Sequence, residues 1–335
     1  MTGAGPAGDE AVDPVVLAVD SGGSGLRVAV GTVARGVLGQ RVSREPVRTG
    51  DRGIDAGHLL EQLLPLTRAL LVENGLAAPV AAAVGAAGLA TLGDALRAEL
   101  PDALRRELGV RRLALAADAV TAYTGALGAR PGAVVAAGTG LIALGTDLSG
   151  WRRADGWGHL LGDCGSGAWI GRAALEAALR AHDGRPGGSA ALLACAEKVF
   201  GPAAGLPGAL YPRPDRPAVL ASFAPQVAAC AADGDPVAVG ILREAARHIA
   251  DSAAAVCPDS GEPYVALTGG LFRMGEPLLS PLREELAARL PHARRVPAEG
   301  DPLHGAVCIA GALATHTLSL PADGTMLQVM DTTRT

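Results

Sequence analysis

The chain has 335 residues, of which 49% are hydrophobic and 3% aromatic, and its formal net charge is −5 at pH 7. This length exceeds the size at which a single hydrophobic core stops growing, so two domains are expected. The negative charge and the scarcity of aromatic side chains argue against a surface for nucleic acids or anionic membranes.

The five cysteines are widely spaced and form no C-x-x-C pair. Such spacing is typical of reduced thiols rather than of a disulfide framework or a zinc site. No apolar leader with basic flanks opens the chain, and no uncharged apolar run reaches the length of a membrane span. We therefore expect a cytoplasmic protein without a membrane partner.

The first informative stretch covers residues 15–32, VVLAVDSGGSGLRVAVGT. Two apolar runs flank a turn rich in glycine and serine, which predicts a β-hairpin with Asp20 at its mouth. Bare N–H groups around Gly22 and Gly23, with the hydroxyl of Ser24, would form a nest for an anion. Because a carboxylate repels phosphate, Asp20 suggests an intervening Mg²⁺. An ordinary glycine hairpin at a sheet edge is the alternative.

Alternating patterns of apolar residues then predict strands and helices in turn. Strands are expected over 36–44, 78–86 and 112–117, and helices over 55–73, 93–108 and 119–127. Asp118 falls between the third of these strands and the helix that follows it. A second glycine hairpin is expected over 132–145, with Gly138, Thr139 and Gly140 in its turn. Two facing hairpins of this kind would clamp a polyphosphate.

The second half of the sequence is mainly helical in its spacing. Helices are predicted over 166–182, 189–200, 217–232, 236–256, 276 onward and 302–316, with a proline- and glycine-rich loop over 201–217. One more strand, over 263–268, leads into Gly269 and Gly270. Alternation of strands and helices favours an α/β fold with ligands at the strand ends.

The segment 154–172, ADGWGHLLGDCGSGAWIGR, combines two tryptophans with six glycines. Glycines beside Trp157, Gly156 among them, would allow backbone to approach a ligand, and an indole offers a face to a sugar ring. Asp163 can accept hydrogen bonds from hydroxyl groups, and Ser166 is placed to cap the following helix. A structural turn before a helix is the alternative, but it does not require this density of glycine.

These motifs carry a resemblance that covers residues 15–314. VLAVDSGGSG at residues 16–25 resembles the first phosphate motif of the sugar kinase, heat-shock chaperone and actin superfamily. Residues 138–140 resemble the second phosphate motif, and residues 268–270 resemble the adenosine motif. The segment 156–172 is similar to the N-acetylglucosamine kinases of the BadF/BadG/BcrA/BcrD ATPase family.

The resemblance implies a kinase that uses ATP and Mg²⁺ to phosphorylate an amino sugar. The implied nucleotide-binding residues are Asp20, Gly22, Gly23, Ser24, Gly138, Thr139, Gly140, Gly269 and Gly270, with Asp20 also as the metal ligand. The implied sugar-binding residues are Asp118, Gly156, Trp157 and Asp163, with Asp118 as the catalytic base. Dimers are common in that family, so a homodimer is an assembly that the resemblance allows.

The chain departs from the family pattern at three places, one of which is the loop 85–88, GAAG, which lacks the serine often seen on the sugar side. No asparagine occurs near Thr49 and Gly50, where the sugar kinases usually have one, and Cys164 stands where an acidic residue usually follows the aspartate. Two rival functions stay open. One is an activator-type ATPase that couples hydrolysis to electron transfer through an iron–sulfur cluster, and the other is a non-catalytic nucleotide or sugar sensor.

The expected architecture is a two-domain, actin-like ATPase fold of the ribonuclease H type, with nucleotide in the cleft between domains. The first domain is expected over 15–117, with the helix at 302–316 returning to it, and the second over 118–300. Residues 1–14 are expected to form a disordered tail. Residues 317–335 are expected to form a second tail, since they give no strong signal.

Overall fold

The computed structural model describes residues 13–23, 25–50 and 53–333. The chain divides into two compact units. One comprises the chain up to Thr121, Ala306–Leu318 and the residues from Gly324 on, and the other comprises Ala122–Gly305 and Ser319–Asp323. The N-terminal tail predicted over 1–14 lies almost wholly outside the described residues.

The first part of the chain alternates strands and helices, largely as predicted. Its elements are β1 (Val15–Gly22), β2 (Gly25–Thr32), β3 (Gly36–Ser43), β4 (Thr49–Gly50), β5 (Gly53–Ile54), α1 (Ala56–Glu73), β6 (Ala81–Ala86), α2 (Leu89–Leu92), α3 (Asp94–Leu108), β7 (Arg112–Ala117) and α4 (Asp118–Leu127). The predicted first hairpin is confirmed, because β1 and β2 pair antiparallel along their whole length.

The remainder of the chain is richer in helix. Its elements are β8 (Gly132–Ala137), β9 (Leu141–Thr146), β10 (Trp151–Asp155), α5 (Gly167–His182), α6 (Ala190–Phe200), α7 (Leu206–Leu210), α8 (Arg216–Ser222), α9 (Ala224–Ala232), α10 (Pro236–Val256), β11 (Tyr264–Thr268), α11 (Glu276–Arg289), β12 (Arg294–Arg295), α12 (Pro302–Thr315) and β13 (Leu327–Asp331). The second hairpin, β8 with β9, is confirmed. The Ser166 cap of α5 is also confirmed, since its hydroxyl accepts from the N–H of Trp169 at 3.2 Å.

Each unit is built on one large sheet that begins with a glycine hairpin. The first sheet has the order β13-β7-β6-β1-β2-β3, and the second has the order β10-β9-β8-β11-β12. In the first sheet β1, β6 and β7 run parallel, and in the second β8, β11 and β12 do. Each unit has its own hydrophobic core of buried leucine, valine, isoleucine and alanine side chains.

Three features differ from the predictions. The single helix expected over 217–232 is two helices, because Pro225 lacks an N–H and begins the new helix α9 after the fully buried Phe223. The loop expected over 201–217 contains α7. The expected tail over 317–335 contains β13, which pairs antiparallel with the edge of β7 and so completes the first sheet.

Among the described residues, no helix combines the length and the apolar character that crossing a bilayer requires.

Candidate functional site

Asp20 and Asp118 lie at the same edge of the first sheet. The parallel register aligns Asp20 with Gly85 of β6, and Gly85 with Ala116 of β7. Asp118 follows β7 directly and is the first residue of α4. Because open α/β sheets bind ligands at the carboxyl ends of their strands, this edge presents two carboxylates, with β6 between the strands that carry them.

The position of Asp118 depends on a close contact between α4 and β6. A Cβ atom at Gly85 would lie 2.7 Å from the Cγ2 atom of Thr121, so glycine permits the helix to approach the strand. The hydroxyl of Thr121 donates to the carbonyl of Asp118 at 2.9 Å. The Asp118 Oδ1 atom accepts from the N–H of Ala119, also at 2.9 Å. The first turn of α4 therefore orients this half-buried carboxylate.

Asp20 is held by an arginine that the sequence analysis did not single out. Nε of Arg27 donates to Oδ2 of Asp20 at 2.9 Å, and Nη2 donates to the same oxygen at 2.6 Å. The hairpin register places these two residues directly opposite each other on β1 and β2. The pair therefore reduces the negative charge at the hairpin mouth and fixes the direction of the carboxylate.

Gly22 and Gly23 leave open space at the end of the first hairpin. Cβ atoms built at Gly22 and Gly23 meet no atom within 4 Å, and Ser24 lies outside the described residues. The structure records no hydrogen bond between Oδ1 of Asp20 and any described residue. Mg²⁺ commonly uses one or two carboxylates, with waters and substrate phosphates completing its shell. Asp20 fits that role through Oδ1.

The turn of the second hairpin is bonded to the start of α5. The N–H of Gly167 donates to the carbonyl of Gly138 at 2.9 Å, and the N–H of Ala168 donates to the carbonyl of Thr139 at 3.1 Å. The side chain of Thr139 is exposed. The turn is thereby fixed in one conformation beside the positive end of a long helix, where an anion is favoured.

Two glycines of this turn differ in what surrounds them. A Cβ atom at Gly138 would meet no atom within 4 Å, whereas one at Gly140 would lie 2.7 Å from Oδ2 of Asp163. The space at Gly138 is open for a ligand. The structure thus places the turn that is predicted to bind phosphate beside Asp163, one of the predicted sugar-binding residues.

Asp155 organises the loop that carries Asp163. Its Oδ1 atom accepts from the N–H of Asp163 at 2.6 Å, and its Oδ2 atom accepts from the N–H of Cys164 at 2.8 Å. The N–H of Gly158 in turn donates to Oδ1 of Asp163 at 3.2 Å. Asp155 and Asp163 both have a positive φ, 58° and 53°, a conformation that aspartate tolerates better than most side chains.

The carboxyl group of Asp163 is buried and binds protons more tightly than usual. Burial is the main cause of its raised pKa, and the negative charge of Asp155 adds to the effect. Backbone N–H groups of Gly158 and Leu141 oppose it by stabilising the ionised form. A perturbed carboxyl beside a glycine turn is a common mark of a functional site.

Trp157 projects from this loop and is 67% exposed. The guanidinium of Arg153 lies 4.3 Å from the centre of its ring, in cation–π contact. Arg153 also donates to the carbonyls of Asp155 and Gly156, at 3.1 and 3.3 Å. The indole is therefore oriented from one side by arginine, while most of its surface is accessible to solvent.

Gly269 and Gly270 follow β11, the parallel neighbour of β8. Gly269 has a φ of 108°, and a Cβ atom there would lie 2.2 Å from the carbonyl oxygen of Ala137, which precedes Gly138. Backbone of the predicted adenosine motif thus lies against the strand that leads into the turn of the second hairpin. A Cβ atom at Gly270 would meet open space.

The predicted site residues fall into two groups. Asp20, Gly22, Gly23 and Asp118 lie in the first unit, and Gly138, Thr139, Gly140, Gly156, Trp157, Asp163, Gly269 and Gly270 lie in the second. Neither Arg27 nor the ordering role of Asp155 was predicted from the sequence. The register of a short hairpin could have indicated Arg27, whereas the hydrogen bonds of Asp155 depend on how the loop folds back.

Comparison with known proteins identifies the family. The family model described as the BadF/BadG/BcrA/BcrD ATPase family matches residues 17–310. The chain belongs to the BadF/BadG/BcrA/BcrD ATPase family. This match confirms the resemblance inferred from the phosphate motifs and the tryptophan-glycine segment.

The chain is similar to two proteins that are described as sugar kinases. It is 31% identical over 201 residues to an N-acetylmuramic acid/N-acetylglucosamine kinase from Clostridium acetobutylicum, a match that spans 58% of the chain and 65% of that relative's length. It is 29% identical to the solved structure of a proposed N-acetylglucosamine kinase from Chromobacterium violaceum, with a TM-score of 0.69 over 88% of this chain and 98% of the other.

A more distant solved structure shares the fold. It is a proposed N-acetylglucosamine kinase from Porphyromonas gingivalis, 18% identical, with a TM-score of 0.63 over 90% of this chain and 99% of the other. The fold is the mixed α/β, actin-like fold of sugar kinases, as expected from the sequence.

Proposed function

We propose that the chain is an ATP-dependent kinase that phosphorylates a hydroxyl group of an amino sugar, with N-acetylglucosamine or a related hexosamine as the acceptor. Membership of an ATPase family supports the use of ATP. The names of the Clostridium acetobutylicum and Chromobacterium violaceum relatives support a sugar acceptor.

The contact between Gly140 and Asp163 carries this proposal. A glycine turn that we propose to bind phosphate and a buried carboxylate that can accept hydroxyl hydrogen bonds lie side by side in one unit. A transferase requires the two groups close together, because its acceptor must meet the γ-phosphate.

The residues predicted to contact the phosphates and the reacting hydroxyl each have one task in the proposed transfer. N–H groups of the two glycine turns hold the phosphates, and Asp163 accepts hydrogen bonds from the sugar. Asp118 accepts the proton of the attacking sugar hydroxyl. The hydroxyl oxygen forms a bond to the γ-phosphorus of ATP, while the bond between that phosphorus and the oxygen of the leaving ADP breaks. Asp20 would hold Mg²⁺, which neutralises charge on the phosphate oxygens when bound.

An ADP-release assay against a panel of sugars tests this function. We expect N-acetylglucosamine or another N-acetylated hexosamine to stimulate ADP release well above the rate without sugar, with one phosphorylated sugar formed per ADP. Glucose and glucosamine serve as acceptors that lack the acetyl group. Failure of every sugar to stimulate ADP release would contradict the kinase proposal and favour the activator or sensor alternatives.

Replacing Asp163 by asparagine should raise the KM for the sugar roughly 10- to 100-fold, because a hydrogen bond to a charged group contributes about 1.5–3 kcal/mol. Asparagine tolerates the positive φ of this position and can still accept from Gly158. The KM for ATP should change little. Asp147→Asn, which alters an exposed carboxylate in the turn after β9, is the matched control. Equal changes in both KM values would contradict a sugar-specific role.

The raised pKa of Asp163 predicts a pH dependence of sugar binding. Because the pKa of Asp163 is raised, its carboxyl becomes protonated at a higher pH than an ordinary aspartate does. The KM for the sugar should therefore rise as the pH falls through that pKa. The same raised pKa stabilises the folded protein at low pH. This stabilisation is complete below the ordinary pKa of aspartate and is lost as the pH rises through the raised pKa of Asp163. Steady-state kinetics over pH should show the rise for wild type. The same rise in Asp163→Asn would show that another group causes it.

A further inference from the structure

Two of the cysteines lie in contact inside the second unit. Cys195 is on α6 and Cys230 is on α9, and their Sγ atoms are 3.7 Å apart. Both residues are free thiols. A disulfide bond brings the sulfur atoms to about 2.05 Å, so these two would have to approach by roughly 1.7 Å. No step of the proposed phosphoryl transfer uses either thiol.

A chain of hydrogen bonds joins the two helices that carry the thiols. Ser189, the N-cap of α6, donates from its hydroxyl to Oδ2 of Asp235 at 2.8 Å. Asp235 lies shortly after the end of α9, and its N–H donates to the carbonyl of Cys230 at 2.9 Å. The start of α6 is therefore tied to the end of α9, which limits how far the two sulfur atoms can separate.

The two thiols differ in their access to solvent. Cys230 is buried, whereas Cys195 is half-buried. Burial raises the pKa of Cys230, and the hydrogen bond with Cys195 and the negative charges of Asp235 and Asp233 add to the effect. Because the thiolate is the nucleophile, Cys230 reacts slowly with reagents in solution. A dissolved reagent therefore reaches Cys195 first.

We propose that Cys195 and Cys230 form a site of reversible oxidation, at which a small-molecule disulfide such as oxidised glutathione converts the two thiols into one intramolecular disulfide. The thiolate of Cys195 attacks one sulfur of the reagent, which forms a mixed disulfide and releases one glutathione thiolate. The thiolate of Cys230 then attacks Sγ of Cys195 and releases the second glutathione.

Atoms and electrons balance in this exchange. Two protein thiols are oxidised and one glutathione disulfide is reduced, and the protons lost by the two cysteines are taken up by the two glutathione thiolates. A closed ring holds the second nucleophile beside the mixed disulfide, so the second step is intramolecular. The same chemistry is expected whether or not the chain is a kinase.

The disulfide would close a loop that contains residues 196–229, including α7 and α8. A cross-link of this kind restricts the unfolded chain, so the oxidised protein should melt roughly 5–10 °C above the reduced protein. None of the residues proposed to bind nucleotide or sugar lies on α6, on α9 or in the loop between them.

Incubation of the full-length protein with excess oxidised glutathione, without denaturant, tests the proposal. After digestion under non-reducing conditions, mass spectrometry should find the peptide of Cys195 joined to the peptide of Cys230, with no glutathione on either. Dithiothreitol should restore both free thiols. Calorimetry of the oxidised and reduced forms should show the expected difference in melting temperature.

Three variants separate the two steps of the exchange. Cys230→Ala should stop the reaction after the first step, so that Cys195 keeps one glutathione. Cys195→Ala should leave Cys230 unmodified, because that thiol is buried. Cys308→Ala removes a half-buried thiol of the first unit and is the matched control, which should form the same linked peptide as wild type.

The wild-type protein alone is sufficient to overturn the proposal. Unmodified Cys195 and Cys230 after incubation, glutathione that stays on Cys195, or a link from either residue to a different cysteine would each do so. An oxidised form that melts below the reduced form would also contradict it, since the native helices would then have to move apart to form the bond.

Discussion

Replacing Asp118 by asparagine is expected to lower kcat by about 10²- to 10⁴-fold, which is the usual contribution of a general base. Asparagine keeps the shape of the side chain and can still accept from the N–H of Ala119. It cannot take a proton from the attacking hydroxyl. Rapid-quench or steady-state kinetics should therefore show a slow chemical step with little change in the KM for ATP.

The alternative role for Asp118 is a purely structural one at the start of α4. Asparagine offers the N–H of Ala119 the same kind of acceptor oxygen as aspartate does. If the residue only stabilises the helix, Asp118→Asn should match wild type in both melting temperature and kcat. Asp118→Ala is the companion variant, because it removes the acceptor as well as the base and should lower stability by about 1 kcal/mol, the net contribution of one hydrogen bond. A variant Asp118→Asn that retains most of its kcat would contradict the assignment as base.

Replacing Gly138 by valine is expected to weaken ATP binding on the order of 100-fold, while the protein stays folded. The side chain would extend into the open space beside the second turn, where the phosphates are proposed to lie. Loss of two charged hydrogen bonds to backbone N–H groups, at about 1.5 kcal/mol each, accounts for that factor. Titration with a non-hydrolysable ATP analogue measures the effect directly.

A matched control for this substitution lies in the next turn of the same unit. A Cβ atom at Gly150, between β9 and β10, also meets open space, so Gly150→Val should have little effect on ATP affinity. Gly140→Ala is less informative, because its Cβ atom would press against the Asp163 carboxylate and disturb the proposed sugar site. Wild-type ATP affinity in a folded Gly138→Val protein would remove the second turn from the nucleotide site.

Local patterns were sufficient to predict much of this molecule. Both hairpins follow from apolar runs flanking glycine turns, because a turn of this kind encodes its own register. The bounds of α10, Pro236–Val256, agree with the spacing of its apolar residues and with its proline near the first helical position. The motifs at residues 16–25, 138–140 and 156–172 were sufficient for the family, since they depend on residue type and order alone.

Other features required the folded chain, because they depend on partners that are distant in sequence. β13 is a strand only because the exposed edge of β7 offers it hydrogen bonds. The contact of Gly140 with Asp163 and the two N–H bonds to Asp155 arise where a loop folds back on a hairpin turn. The contact between Cys195 and Cys230 likewise brings together the thiols of two separate helices. Sequence patterns report local backbone preference, whereas these contacts are selected by the packing of whole elements.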